Sequence, residues 1–275
     1  MQKEENLSRG KVEKFSCGFH GISGSTLKLI AIFTMLTDHI GATVVELMME
    51  QRGISLIAHS GIGMILRLSG EERTLALIWW IMRMVIGRIA FPIFCYLLVE
   101  GFLHTRSVKK YAVRLGVFAL LSEIPFDLGL FQSFFHWKHQ NVMFTLLAGL
   151  LCMELWEMVQ KHITQKLLAV ILDVLALAVF CTAAELLHTD YGACGVLLIM
   201  ILYGFRNKKP LQMLCGAFGG MFLLRELAAP LAFPFIAAYN RQRGLKLKYF
   251  FYAFYPLHLL LLYLLCVLLG LAKTA

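Results

Sequence analysis

The chain has 275 residues, of which 59% are hydrophobic and only 16% charged, with a formal net charge of +9 and a mean hydropathy of +0.71. Soluble domains carry about 25% charged residues, so this composition excludes a water-soluble globular protein and points to helices in lipid. The excess of Lys and Arg reads as an orientation signal with anionic-lipid contact, which leaves no role for nucleic acid.

Residues 1–24 form a basic segment with Lys3, Arg9, Lys11 and Lys14, expected on the cytoplasmic side. The apolar run behind it lacks a small-residue cleavage site and reads as a retained first span. Residues 25–272 read as one transmembrane helical domain, with no linker of biased composition and no internal repeat. A span needs about 20 mainly apolar residues. The expected fold is an all-α, polytopic integral membrane bundle of about nine spans, within a range of 8–10. They fall at 27–49, 75–103, 112–130, 141–159, 167–187, 191–205, 211–225, 228–240 and 249–271. Ile54–Leu68 is too short for a span and suits a re-entrant or interfacial piece.

Basic clusters occur at 3–14, 106–114, 161–166, 206–209 and 241–248, and the loops between them are mixed or low in charge. Basic loops stay cytoplasmic. Nine spans place every cluster on one face, with the N-terminus inside. The stretch 211–240 then crosses an even number of times, as two short helices meeting near Arg225–Pro230. Seven cysteines show no Cys-x-x-Cys spacing, hence neither a disulfide framework nor a zinc site. His136 and His139 form a His-x-x-His pair without a third ligand, so no metal is expected.

Chemistry must come from polar groups inside the spans, where a charge costs about 2.5–3.5 kcal/mol and faces a partner or cavity. Asp38 and His39 sit mid-depth in span 1, Arg88 near the middle of span 2, and His258 mid-depth in span 9. Glu123 and Asp127 share one face of span 3, with Arg88 or Arg225 as the expected cation for the pair. Neighbouring helical residues diverge by about 100°, so Asp38 is expected to meet Arg88 or His258 while His39 faces a reaction centre. Asp173 reads as structural, and Glu100 and His104 as residues reaching the interface.

LKLIAIFTMLTDHIGA, GRIAFPIFCYLLVEGFLHTRSVKKYAVRLGVFALLSEIPFDL, NVMFTLLAGL and FYAFYPLHLLLLYLL, in this order, resemble the TraX family. That family is named for the F-pilin acetylase of conjugative plasmids, and the likeness runs from residue 27 to about 265. The resemblance implies a transmembrane acyltransferase, set in the bacterial cytoplasmic (inner) membrane. Its donor would be cytoplasmic acetyl-CoA or another acyl-CoA. Its acceptor would be an amine or hydroxyl on a protein N-terminus, lipid or glycan, with membrane lipids as further partners. Within that reading His39 or His258 is the general base, and Asp38 anchors the imidazole. Arg88 steadies the oxyanion, and Glu123 and Asp127 complete the polar cluster. Arg106, Lys109, Lys110, Arg241, Arg243 and Lys246 suit the phosphates of CoA. The alternative is a proton-coupled transporter or lipid-binding membrane protein.

Overall fold

The computed structural model describes residues 21–245 and 248–272. The basic segment 1–20 and Lys246 lie outside the described residues. Among the described residues the chain is helical throughout, with two isolated bridges, Ile22 to Tyr239 and Gln140 to Thr189.

Helix α1 (Gly24–Ile40) begins at Ser23, whose hydroxyl accepts from Thr26 N at 3.2 Å. It runs through a π turn, Gly41–Val45, into α2 (Glu46–Gln51). The short α3 (Ser55–His59) and α4 (Ile62–Ile65) pack with α2 and α5 (Gly70–Trp80) around Met49, Ile65 and Trp79, a small core of their own. Helix α5 continues through a π turn, Ile81–Ile86, and a 3-10 turn, Gly87–Ile89, into α6 (Ala90–His104). There follow α7 (Val108–Phe131), α8 (Val142–His162), α9 (Lys166–Leu186), α10 (Gly192–Gly204) and α11 (Lys209–Phe222). A 3-10 turn, Ala229–Ala232, leads to α12 (Phe233–Ala237), and α13 (Lys248–Leu268) closes the bundle.

Five helical stretches are long and apolar enough to cross a membrane: Gly24–Gln51, Gly70–His104, Val142–His162, Lys166–Leu186 and Phe250–Leu268. Helix α7 has the length, 24 residues, but carries Lys109, Lys110, Arg114, Glu123 and Asp127. The spans expected at 191–205, 211–225 and 228–240 are short helices. The 13 residues of α10 advance about 20 Å, against about 30 Å of hydrocarbon. Helix α10 is instead the centre of the bundle, touching α6, α8, α9 and α11. Helices in lipid gain little from hydrophobicity against one another and associate by close packing at small residues. Gly149 of α8 admits Ile199 of α10, and Gly216 of α11 admits Phe233 and Leu202; a Cβ at either glycine would collide. The outer face of α9, with Val170, Val174, Leu175 and Val179, is exposed and apolar, as a lipid-facing surface requires.

One end of the bundle is basic. Gly24 N donates to Gln242 O at 2.7 Å and Lys209 Nζ to Ala237 O at 3.1 Å. Tyr203 donates to Glu157 at 3.0 Å and meets Phe102 edge-on at 5.6 Å. These contacts gather the α6–α7, α8–α9, α10–α11 and α12–α13 connections, and with them Arg106, Lys161, Arg206, Arg241 and Arg243, on one side.

Candidate functional site: a histidine pair beyond a basic-mouthed cavity

His39 is the penultimate residue of α1, just ahead of the π turn, and His258 lies midway along α13. The two residues are 8% and 4% exposed. His39 Nδ1 and His258 Nε2 are 2.6 Å apart, and His258 Nδ1 is 2.7 Å from Phe254 O. A carbonyl only accepts, so the neutral His258 ring carries its proton on Nδ1 and its Nε2 is bare. That bare nitrogen accepts from His39 Nδ1–H, which leaves the lone pair of His39 on Nε2. The rings lie 4.9 Å apart by centroid with 16° between planes, as for two rings joined edge to edge. Local π widening is frequent at functional sites, and here it follows the histidine directly; Thr43 Oγ1 holds His39 O at 2.7 Å.

Asp38 faces the other way, and its partner is neither Arg88 nor His258. Its Oδ2 accepts from Arg83 at 2.6 Å. Gly41, one turn on, leaves room for the Arg83 stem, and Gly87 leaves room for the Asp38 carboxylate. The π turn Ile81–Ile86 presents Arg83 there. Arg88 donates instead to Glu226 Oε1 at 2.7 Å and keeps Asp38 and Tyr191 as electrostatic neighbours. Among the described residues Asp38 Oδ1 and Glu226 Oε2 are buried without a hydrogen-bond partner. Two arginines and two carboxylates thus neutralise one another inside the bundle, the condition for holding charge there.

Among the described residues no ion pair joins Glu123 or Asp127 to Arg88, Arg225 or another arginine or lysine. Glu123 Oε1 accepts from Asn141 N at 2.9 Å and from the Asn141 side chain, and Asp127 Oδ2 accepts from His136 N at 2.8 Å. Helix α7 ends at Gln132 in a left-handed turn, which folds the following loop back over both carboxylates. Backbone N–H groups satisfy a carboxylate without burying a guanidinium. Arg225 is exposed. Asp173 accepts from Gln160. His136 stacks on Phe131 at 4.0 Å, while His139 Nε2 lies 3.4 Å from Asp190 Oδ1. The hydrogen bond to Asp190 holds the His139 pKa above its ordinary value. Among the described residues no group of three His, Cys, Asp or Glu side chains could hold a metal ion.

A cavity of about 490 Å³ opens at the basic end. Lys28, His104, Arg114, Arg241 and Arg243 line its mouth, Phe94, Leu97, Leu115, Val142 and Leu146 its walls, and Met35 and Tyr255 its inner end. His39 is one turn beyond Met35 on α1, and His258 one turn beyond Tyr255 on α13; Tyr255 lies 6.0 and 5.8 Å from the two rings. Of the basic residues expected at phosphates, Arg241 and Arg243 line the cavity. Arg106, Lys109 and Lys110 do not: Arg106 is exposed in the α6–α7 connection, and Tyr111, Arg114 and Leu115 form the inner face of α7, which leaves Lys109 and Lys110 exposed. Glu100 also turns into the cavity rather than to the interface.

Sequence reasoning passed over Arg83, Lys28 and Glu226 as partners. Arg83 interrupts an apolar run as Arg88 does, and that was its available signal. Lys28, one turn inside α1, reads equally well as a helix-end cation.

The TraX protein family profile matches residues 23–266. The chain belongs to the TraX family. That match encloses both histidines, both half-buried ion pairs and every cavity-lining residue. The chain is also 29% identical over 204 residues, 64% of its own length and 80% of the relative's, to a Dichelobacter nodosus protein described as probable fimbrial assembly protein FimC, serogroup H1. No solved structure gives a significant match.

Proposed function

We propose that this TraX-family chain is a membrane-embedded acyltransferase. It moves an acetyl or other short acyl group from cytoplasmic acyl-CoA to an amine or hydroxyl of an acceptor at the membrane or its outer face. Its setting is a bacterial cytoplasmic membrane, with the basic end inside and nine helical passes, some of them short. The single observation that carries the reading is the 2.6 Å contact of His39 Nδ1 with His258 Nε2, which assigns the free lone pair of His39 to Nε2, one turn beyond the inner end of a basic-mouthed cavity.

The chemistry follows from that nitrogen. Lys28, Arg114, Arg241 and Arg243 hold the CoA phosphates by charge-assisted hydrogen bonds, and the arm threads the apolar walls toward Tyr255. His39 Nε2 takes the acceptor's proton as its N or O forms a bond to the acyl carbon. The C–S bond then breaks, and the leaving thiolate takes the proton back. His258 fixes the His39 tautomer, and Arg88 steadies the charge on the thioester oxygen. In a proton-coupled transporter the relay must hand its proton onward, whereas His258 Nδ1 ends on the Phe254 carbonyl, which cannot pass one on. That dead end favours acid–base chemistry over proton transit.

The test is incubation of purified protein in nanodiscs with radiolabelled acetyl-CoA, scoring slow hydrolysis or transfer to added amines and alcohols. Turnover by wild type and its loss in His39→Ala is the expected result. No turnover with any acyl-CoA, in protein that binds no CoA, overturns the reading.

A further inference from the structure

Glu100 sits oddly in a cavity otherwise built for anions. It lies one turn before His104 on α6, hence about 6 Å inward of that residue, in the cavity that Lys28, Arg114, Arg241 and Arg243 also line. Tyr96, one turn earlier, is its hydrogen-bonding neighbour. The second oxygen, Oε2, is buried and has no hydrogen-bond partner among the described residues. Among the described residues no ion pair joins Glu100 to any of the four cations. A buried acceptor left unmade is costly, and a carboxylate inside a phosphate site repels a bare anion. A ligand that brings its own donor to that depth removes the first penalty and offsets the second.

We propose that Glu100 selects the donor substrate: its carboxylate accepts hydrogen bonds from the hydroxyl or amide N–H of a pantetheine arm just inward of the diphosphate. A lipid phosphate offers the same anion and an apolar chain, but nothing to donate at that level. Glu100 thereby makes the cavity a CoA site rather than a phospholipid or polyprenyl-phosphate site. This rests on the acyl-CoA reading above.

The test measures equilibrium binding of CoA, 3′,5′-ADP and dodecyl phosphate to the full chain in nanodiscs of uncharged lipid. Glu100→Leu is expected to weaken CoA about 10- to 100-fold, the range for losing a hydrogen bond to a charged group. The same variant should bind 3′,5′-ADP no more weakly than wild type does, because that ligand lacks the arm, and should bind dodecyl phosphate more tightly. If Glu100→Leu does not fold, Glu100→Gln is measured in its place, and the same pattern with a smaller CoA loss is expected. Unchanged CoA binding, or equal losses for CoA and 3′,5′-ADP, overturns the role of Glu100 while the acyl-CoA reading stands. Wild type that binds dodecyl phosphate but not CoA overturns both.

Discussion

Removing His258 separates base from positioning residue. In the intact pair, His258 Nδ1 is committed to Phe254 O, so its Nε2 accepts from His39 Nδ1–H and keeps the His39 lone pair on Nε2. His258→Ala leaves His39 Nδ1–H without an acceptor in a residue that is 8% exposed. Losing that acceptor removes about 1–3 kcal/mol of preference for the Nδ1–H tautomer, which at 1.36 kcal/mol per decade lowers the reactive fraction of His39, and with it the rate, roughly 5- to 150-fold. His39→Ala removes the base itself and should lower transfer by about 10²–10⁴-fold. The double variant should be no slower than His39→Ala alone, because the second residue acts only through the first. His258→Gln, which can offer a carbonyl oxygen, should recover part of the single loss. The assay is single-turnover transfer from radiolabelled acetyl-CoA in nanodiscs, with monodispersity checked for each variant. A larger loss for His258→Ala than for His39→Ala, or losses that multiply in the double variant, would refute the tautomer argument and make His258 the base.

The Asp38–Arg83 pair should behave as a structural unit. Asp38→Asn leaves Arg83 without its carboxylate and should destabilise by about 3 kcal/mol, the low end for a broken buried pair, since the Arg83 side chain is 25% exposed. Adding Arg83→Gln should recover most of that in a thermal-shift measurement, and no recovery would place the loss elsewhere. Glu123→Ala should loosen residues 132–141 and the start of α8, read as faster amide exchange there, because it frees Asn141 N and its side chain; unchanged exchange would remove its capping role. The raised pKa of His139 gives the opposite sign from a carboxylate. Its contact with Asp190 is complete below the unfolded value of about 6.5 and is lost as pH rises through the folded value. Exchange at 132–141 and 187–191 should therefore rise with pH in a step that His139→Ala abolishes, once the intrinsic pH dependence is subtracted. Cysteines at Lys109, Lys208 and Arg243 should resist impermeant thiol reagents in intact cells, and those at Ser69 and Ser133 should react; labelling of Arg243 from outside would invert the proposed orientation.

Much of the site was legible because lipid makes polarity conspicuous. Asp38, His39, Arg88 and His258 each interrupt a run that otherwise suits hydrocarbon, and a side chain placed there needs a reason. The convergence of the two histidines could be anticipated from matching depths on the first and last spans. Their pairing could not, since depth fixes one coordinate and leaves rotation about the helix axis open. The pairing of carboxylates with arginines failed for a similar reason. Spacing put Glu123 and Asp127 on one face, but the acceptor demand of a carboxylate is met as well by backbone N–H groups, which carry no signature in a sequence.

By itself the sequence determined that this is a helical protein of the membrane, which basic clusters share one end, and the family to which it belongs. Composition, charge spacing and ordered motifs are local quantities that survive without coordinates. Only the tertiary structure decided which arginine faces which acid, that α10 is a buried centre rather than a full-length span, and that Lys28, Glu100 and Arg114 share a cavity with Arg241 and Arg243. It also decided the tautomers, because these depend on one carbonyl, Phe254 O, lying 2.7 Å from one nitrogen. Side-chain contacts between distant helices are set by axial rotation and close packing at glycines such as Gly41, Gly87 and Gly149. Those rotations belong to the folded bundle and to no single segment of it.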